Sequence, residues 1–240
     1  MRRRVCLFLI AAGLSVSPLV AQDFAASGDE AISLLQGMVR IDSSSPPGNE
    51  TEVCEFIQGV LAAEGIESHI YEMEPGRGNL VARIPGNGSK RPILLMGHID
   101  VVGVERDSWT VDPFAAVIKD GYLWGRGAQD DKGMTAGALE VFLMIARSGI
   151  ELDRDVIFMA NAGEEGMAHL GVEFMVAEHF DKIDAEFALN EGGGFSLIDG
   201  EITRLTVATT EKVSTRMRLV ASGTSGHGSR PRPEIGRAHV

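Results

Sequence analysis

Cysteine is nearly absent from this chain: Cys6 and Cys54 are the whole supply in 240 residues. Cys6 falls in an N-terminal leader and leaves with it, so Cys54 is the one thiol of the mature chain and an intramolecular disulfide is excluded. Positive charge is also scarce. The formal net charge is -12, and Arg2, Arg3 and Arg4 belong to the leader, so the mature chain is more acidic still. An acidic surface repels phosphate backbones and anionic lipid heads, which argues against a nucleic-acid partner or a membrane-surface role. Internal repeats and low-complexity tracts are missing as well, and 44% hydrophobic with 23% charged residues is the composition of an ordinary globular protein.

The leader has three parts: the arginines, the apolar run Val5–Gly13 with a mixed stretch to Val20, and Ala21 before the polar Gln22 and Asp23. This is the pattern of a secretory signal peptide over residues 1–21. Its apolar part is shorter than the roughly 20 residues that a spanning helix needs, and no lipobox precedes Cys6. Cleavage near Ala21 would put the mature protein outside the cytoplasm, periplasmic or secreted, with no membrane attachment.

From Asp29 to Ile41 the apolar residues Ile32, Leu35, Met38 and Val39 have helical spacing. Asn49 offers an N-cap to a second helix with Val53, Phe56, Ile57, Val60 and Leu61 on one face, stopped at Gly65. The period then changes. Residues 66–73, 79–84 and 92–96 read as strands, residues 134–148 as a helix with Leu139, Phe142, Leu143 and Ile145 inward, 156–160 as a buried strand, 172–177 as a helix and 187–189 as a short strand. Strands alternating with helices predict an α/β fold, a three-layer domain over residues 28–210 with a largely parallel central sheet. From Val213 the side chains alternate apolar and polar, as in an antiparallel strand, and open a second α+β domain at residues 211–234.

Ligands in parallel sheets collect at the carboxyl ends of the strands. His98 and Asp100 follow Leu94-Leu95-Met96; Glu164 and Glu165 follow Phe158-Met159-Ala160; Glu191 follows Ala188-Leu189. Asp130 and Asp131 close the glycine turn WGRGAQDDKG just before a helix. At strand spacing Asp100 can hydrogen-bond His98 and fix which imidazole nitrogen faces a metal; taken alone, the pair also fits a hydrogen-bonded loop histidine. The turn reads GxGxxD rather than GxGxxG, and its acids would repel a phosphate. One aspartate carboxylate can bridge two cations, which suits Asp130 to a binuclear site. Glu164-Glu165 is either a solvated acidic loop or a division of labour between a metal ligand and a general base.

These boxes, GHID at Gly97–Asp100, WGRGAQDDKG, Gly163-Glu164-Glu165, NEGG at Asn190–Gly193 and GTSGHGSRP at Gly223–Pro231, resemble the M20 family of metallopeptidases and amidohydrolases. This is the group of the carboxypeptidase G2, aminoacylase-1 and succinyl-diaminopimelate desuccinylase type. The resemblance implies two divalent metal ions, zinc with cobalt or manganese as substitutes, in a site that hydrolyses small peptides or N-acyl amino acids. It implies that His98, Asp130 and Glu191 hold one ion, that Asp130 and Glu165 hold the second, that Asp100 orients His98, and that Glu164 is the general base. It further implies a cis peptide after Asp130, and a lid and dimerisation domain whose His227 reaches a partner subunit's site to stabilise the oxyanion. His69, His169 and His179 match no box. A non-catalytic metal- or peptide-binding relative is the alternative, and Glu164 speaks against it, because binding alone needs no general base.

The family carries one more metal histidine far downstream, and this chain ends before it. His239 is no substitute: the tail IGRAHV at residues 235–240 is what ATC GGA AGA GCA CAC GTC encodes, the start of a common sequencing adapter. The expectation is therefore a C-terminally truncated fragment, inactive or insoluble by itself, from a hydrolase whose full-length form is a homodimer. Resequencing the source DNA past the codon for Glu234 is expected to replace the tail; genomic DNA encoding those six residues would contradict this reading.

Overall fold

A computed structural model describes residues 24–192 and 194–206, together with Val220. The leader, the expected strand at 213–220 except its last residue, His227 and the tail at 235–240 lie outside the described residues. The chain forms two compact units, one ending at Glu191 and one beginning at Gly192. The expected boundary at residue 210 falls among residues that are not described. Among the described residues no helix is long and apolar enough to cross a membrane.

The first unit opens with helices α1 (Phe24–Val39) and α2 (Glu50–Ala63). In α1 the buried stripe runs through Leu34, Met38 and Val39, whereas Ile32, expected on it, is 43% exposed. Asn49 occupies the N-cap position of α2 without capping it; its amide donates to Glu52 instead. Strands β1 (Ser68–Glu72), β2 (Gly78–Ile84) and β3 (Ile93–His98) follow. A short hairpin that periodicity does not reveal comes next, β4 (Val117–Lys119) with β5 (Tyr122–Trp124). Helix α3 (Lys132–Ser148), strand β6 (Val156–Asn161), helices α4 (Val172–Glu178) and α5 (Phe180–Ile183), and strand β7 (Phe187–Leu189) complete the unit.

The central sheet has the order β1-β2-β6-β3-β7. The pairings β6–β3 and β3–β7 are parallel, and β1–β2 and β2–β6 are antiparallel. Period-two alternation gives each strand two apolar faces. Val156, Phe158 and Ala160 of β6 join Leu80, Leu95 and the helices α1, α2 and α3 in one core layer. Ile157 and Met159 join Val81, Leu94, Met96, Met175 of α4 and Ile183 of α5 in the other. Helices on both faces of one sheet give the three-layer α/β architecture, with β3, β6 and β7 ending at one edge. The second unit contributes the antiparallel hairpin β8 (Gly194–Ile198) and β9 (Glu201–Thr206).

Arg147 near the end of α3 ties three helices together, reaching both carboxylate oxygens of Glu30 on α1 at 2.7 Å and Glu64 after α2 at 2.7 Å. Glu140, two turns back along the same face of α3, is less well served. Both of its carboxylate oxygens are sealed from solvent, and burial raises its pKa, the charges of Glu30 and Glu64 adding to the effect against the pull of Ser27 and Arg147. A carboxyl whose folded pKa is raised stabilises the fold below its unfolded pKa and loses that contribution as pH rises through the folded value. Glu140→Gln is therefore expected to raise the thermal midpoint at pH 7 and to bring no gain at pH 4, which denaturation at the two pH values will show.

Candidate metal centre

His98 is the last residue of β3, and its imidazole is buried. Nδ1 lies 3.1 Å from the main-chain oxygen of Asp100 and 3.4 Å from its carboxylate. Donation from Nδ1 fixes the tautomer and leaves Nε2 to face outward. Three carboxylates meet that nitrogen: Asp130 Oδ1 at 3.0 Å, Glu164 Oε2 at 3.8 Å and Glu191 Oε1 at 3.8 Å. One ligand atom each from His98, Asp130 and Glu191 lies within 4.8 Å of the others, the one such set of three among the described residues. One imidazole nitrogen and two carboxylate oxygens make a donor set that suits zinc, manganese or cobalt.

The turn that delivers Asp130 is shaped by close approaches. Gly127 has φ +78, and a Cβ there would sit 2.5 Å from Val101 Cγ1, so only glycine fits. The two neighbouring aspartates then take different jobs. Asp130 stands at the imidazole with a 69% exposed side chain. Asp131 is buried, accepts the main-chain N–H of His98 at 3.3 Å, and through its own carbonyl accepts the Thr135 N–H at 3.0 Å in the first turn of α3. The peptide between them is cis. Lys132, in the motif but given no role by sequence reasoning, is fully buried and donates to Met38 O at 3.0 Å and Ile41 O at 2.9 Å. Burial lowers its pKa to about 8, yet a cation beside the orphan carbonyls at the end of α1 also sits at the negative pole of that helix.

Asp100 does more than face the imidazole. Its side chain is fully buried and its two oxygens accept the main-chain N–H groups of Glu164, at 3.1 Å, and Glu165, at 3.0 Å. Burial would push its carboxyl up, but the His98 ring and the two amides outweigh that and hold it below the ordinary value. A parallel bridge of Ser44 to Val101 and the Ser43 hydroxyl on Ile99 O, at 2.6 Å, brace the same segment from the serine loop.

The charge balance is lopsided. Burial raises the carboxyl of Glu191, with Glu164 and Asp130 adding to it against His98, and burial and then Asp130 raise that of Glu165. Burial lifts Asp131 to about 6, with Glu191 and Asp130 adding to the effect against His98. For His98 burial pulls the imidazole down, but Asp100, Asp130 and Glu191 more than offset it and raise its pKa to about 10. The structure thus brings His98, Asp100, Asp130, Glu164 and Glu191 into one cluster; Glu165 sits on the same loop, outside the three-ligand set, and His227 is not among the described residues. His69 and His169 are exposed, and His179 packs between Tyr71 and Phe174. Asn79 and Arg77, which fasten the loop of Glu164, carried no motif and could not be found from pattern alone.

The sequence profile of Peptidase family M20/M25/M40 matches residues 94–222. A probable succinyl-diaminopimelate desuccinylase of Staphylococcus epidermidis is 32% identical over 207 residues, 85% of this chain and 47% of the relative. Aminoacylase-1 of Sus scrofa is 31% identical over 202 residues, 83% of this chain and 48% of the relative. The crystal structure of an M20 family metallo-carboxypeptidase from Sulfolobus solfataricus superposes with a TM-score of 0.56 and 23% identity, over 70% of this chain and 38% of that one. That likeness speaks for the fold alone. The chain spans about half the length of the curated relatives it matches.

Both ring nitrogens of His98 face oxygen acceptors, Nδ1 at Asp100 and Nε2 at Asp130, so a cation at Nε2 would compete with a proton there. Zinc titration by calorimetry, in buffers of different ionisation enthalpy, is expected to release about one proton per ion at pH 7 and to weaken as pH falls. His98→Ala is expected to lower the affinity by about 100-fold or more; unchanged affinity would place the ion elsewhere.

Proposed function

Because the chain belongs to peptidase family M20/M25/M40, we propose that it carries the metal-binding and proton-transfer residues of a hydrolase that cleaves amide bonds in small peptides or N-acyl amino acids. The observation that carries this reading is the pairing, at one imidazole, of a three-ligand set with a carboxylate outside it: His98, Asp130 and Glu191 on one side, and Glu164, 3.8 Å from the same nitrogen, on the other. The curated relatives point the same way, since one is named a probable succinyl-diaminopimelate desuccinylase and another an aminoacylase.

His98, Asp130 and Glu191 would hold one divalent ion, and Asp130 with Glu165 would hold a second, zinc being the first choice for both. Divalent ions in these places supply Lewis-acid chemistry, polarising a carbonyl and acidifying a water. Asp100 keeps the Nδ1 proton of His98 in place, so that Nε2 presents its lone pair. Glu164, with a side chain 49% exposed, takes the proton of the attacking water and passes it to the leaving amine. His227 is the proposed partner of the developing oxyanion, supplied across a homodimer in the full-length protein. The leader supports a periplasmic or secreted location.

Glu164→Gln keeps the shape and removes the base. In the full-length protein turnover of dipeptides or N-acyl amino acids is expected to fall by about 100-fold to 10,000-fold, with zinc affinity within about threefold of the unsubstituted protein. Undiminished turnover would sink the assignment of the base. Failure of the unsubstituted, zinc-loaded protein to cleave any of these substrates would sink the hydrolase reading.

A further inference from the structure

The loop that carries Glu164 and Glu165 leaves β6 at Ala162 and returns at Leu170 and Gly171. Its neck is tight: a Cβ on Gly171 would lie 1.7 Å from Ala162 O. The β2–β6 ladder ends with Leu80 opposite Ala160, one step short of that neck. The next residue on β2, Asn79, continues the pairing with its side chain. Its Oδ1 accepts the Ala162 N–H at 3.0 Å, and its Nδ2 donates to Leu170 O at 2.9 Å and to Tyr71 O at 3.3 Å. Asn79 is fully buried. Only one orientation of its amide works, because the reverse would set the NH₂ group against an N–H and the oxygen against two carbonyls.

We propose that Asn79 is a positioning residue, which holds Glu164 and Glu165 at the metal-binding cluster by closing the neck of the loop that carries them. The loop is anchored at two further points. Asp100 accepts the Glu164 and Glu165 amides, and Arg77, two residues before Asn79, reaches Met167 Sδ at 3.3 Å. Arg77 is itself pinned by the fully buried Glu50, whose two oxygens it meets at 2.6 and 2.5 Å, and by Ser45 Oγ at 3.1 Å. Asp100 and Arg77 act inside the loop; Asn79 alone of the three spans its two ends. This assignment concerns how the loop is held, and its consequence for turnover rests on the hydrolase reading above.

Asn79→Asp has nearly the same shape, keeps the acceptor for Ala162 and turns the donor toward Leu170 and Tyr71 into an acceptor. By hydrogen exchange on the full-length protein, the amides of Ala162, Glu164 and Glu165 are expected to exchange at least about tenfold faster, while β3 and α3 keep their protection. Zinc affinity at the His98 set is expected to stay within about threefold. In the full-length protein kcat is expected to fall by about 10-fold to 100-fold with KM little changed. Faster exchange throughout the sheet would mark a merely structural residue and overturn the proposal, as would unchanged exchange in the loop. Should Asn79→Asp fail to fold, the unsubstituted chain decides: the Ala162 amide and the Asn79 side-chain amide must be protected, and exchange as fast as an exposed amide overturns the assignment. Loop exchange that responds as expected in a protein without turnover would leave the clamp standing and remove only the hydrolase reading.

Discussion

Four carboxylates, those of Asp100, Asp130, Glu164 and Glu191, gather round one buried imidazole with Asp131 and Glu165 close by, and this crowding of like charge is the constraint that the rest of the structure answers. Two unit charges about 4 Å apart in a medium of effective dielectric about 20 interact by about 4 kcal/mol. The crowding is visible in the acids, since burial and then neighbouring carboxylates raise Glu165 and Glu191 from their ordinary value and lift Asp131 to about 6. His98 answers as the single base, holding its proton up to about 10. A divalent cation would relieve the repulsion and take the place of that proton, and His98, Asp130 and Glu191 could hold one.

Such a cluster needs a scaffold that will not relax. The parallel strands β3, β6 and β7 supply the positions, because their carboxyl ends share one edge. Side-chain to main-chain bonds supply the aim. Asp100 is held by amides at Glu164 and Glu165, Asp131 by the amide of His98, and Lys132 by the last carbonyls of α1. Each buried charge here is met by main-chain dipoles, so it is stabilised without cancelling the field at the site. Asn79 extends the same device to the neck of the loop, where a ladder of ordinary β pairing has run out.

Much of this was legible in the sequence. Strands alternating with helices, and acids placed where apolar runs stop, are local patterns, and they locate the three-layer fold and the cluster of His98, Asp130, Glu164 and Glu191. The division of Asp130 from Asp131 came only through family resemblance, since two adjacent aspartates differ in burial and not in chemistry. What stayed hidden is tertiary. Ile32 was expected inward on helical spacing, but it is exposed while Leu34 is buried. The β4–β5 hairpin is too short to show a period. Asn79 and Arg77 meet the loop of Glu164 from more than eighty residues away, and nothing in the residues around them announces a partner at that distance.

The central claim is that His98, Asp130 and Glu191 share one divalent ion while Glu164 stands beside it as a base. Anomalous diffraction at the zinc edge from zinc-soaked crystals tests it most directly. The account predicts a peak about 2.0–2.2 Å from His98 Nε2 and from one oxygen each of Asp130 and Glu191. A zinc peak bound elsewhere, or none at these three residues, would contradict it.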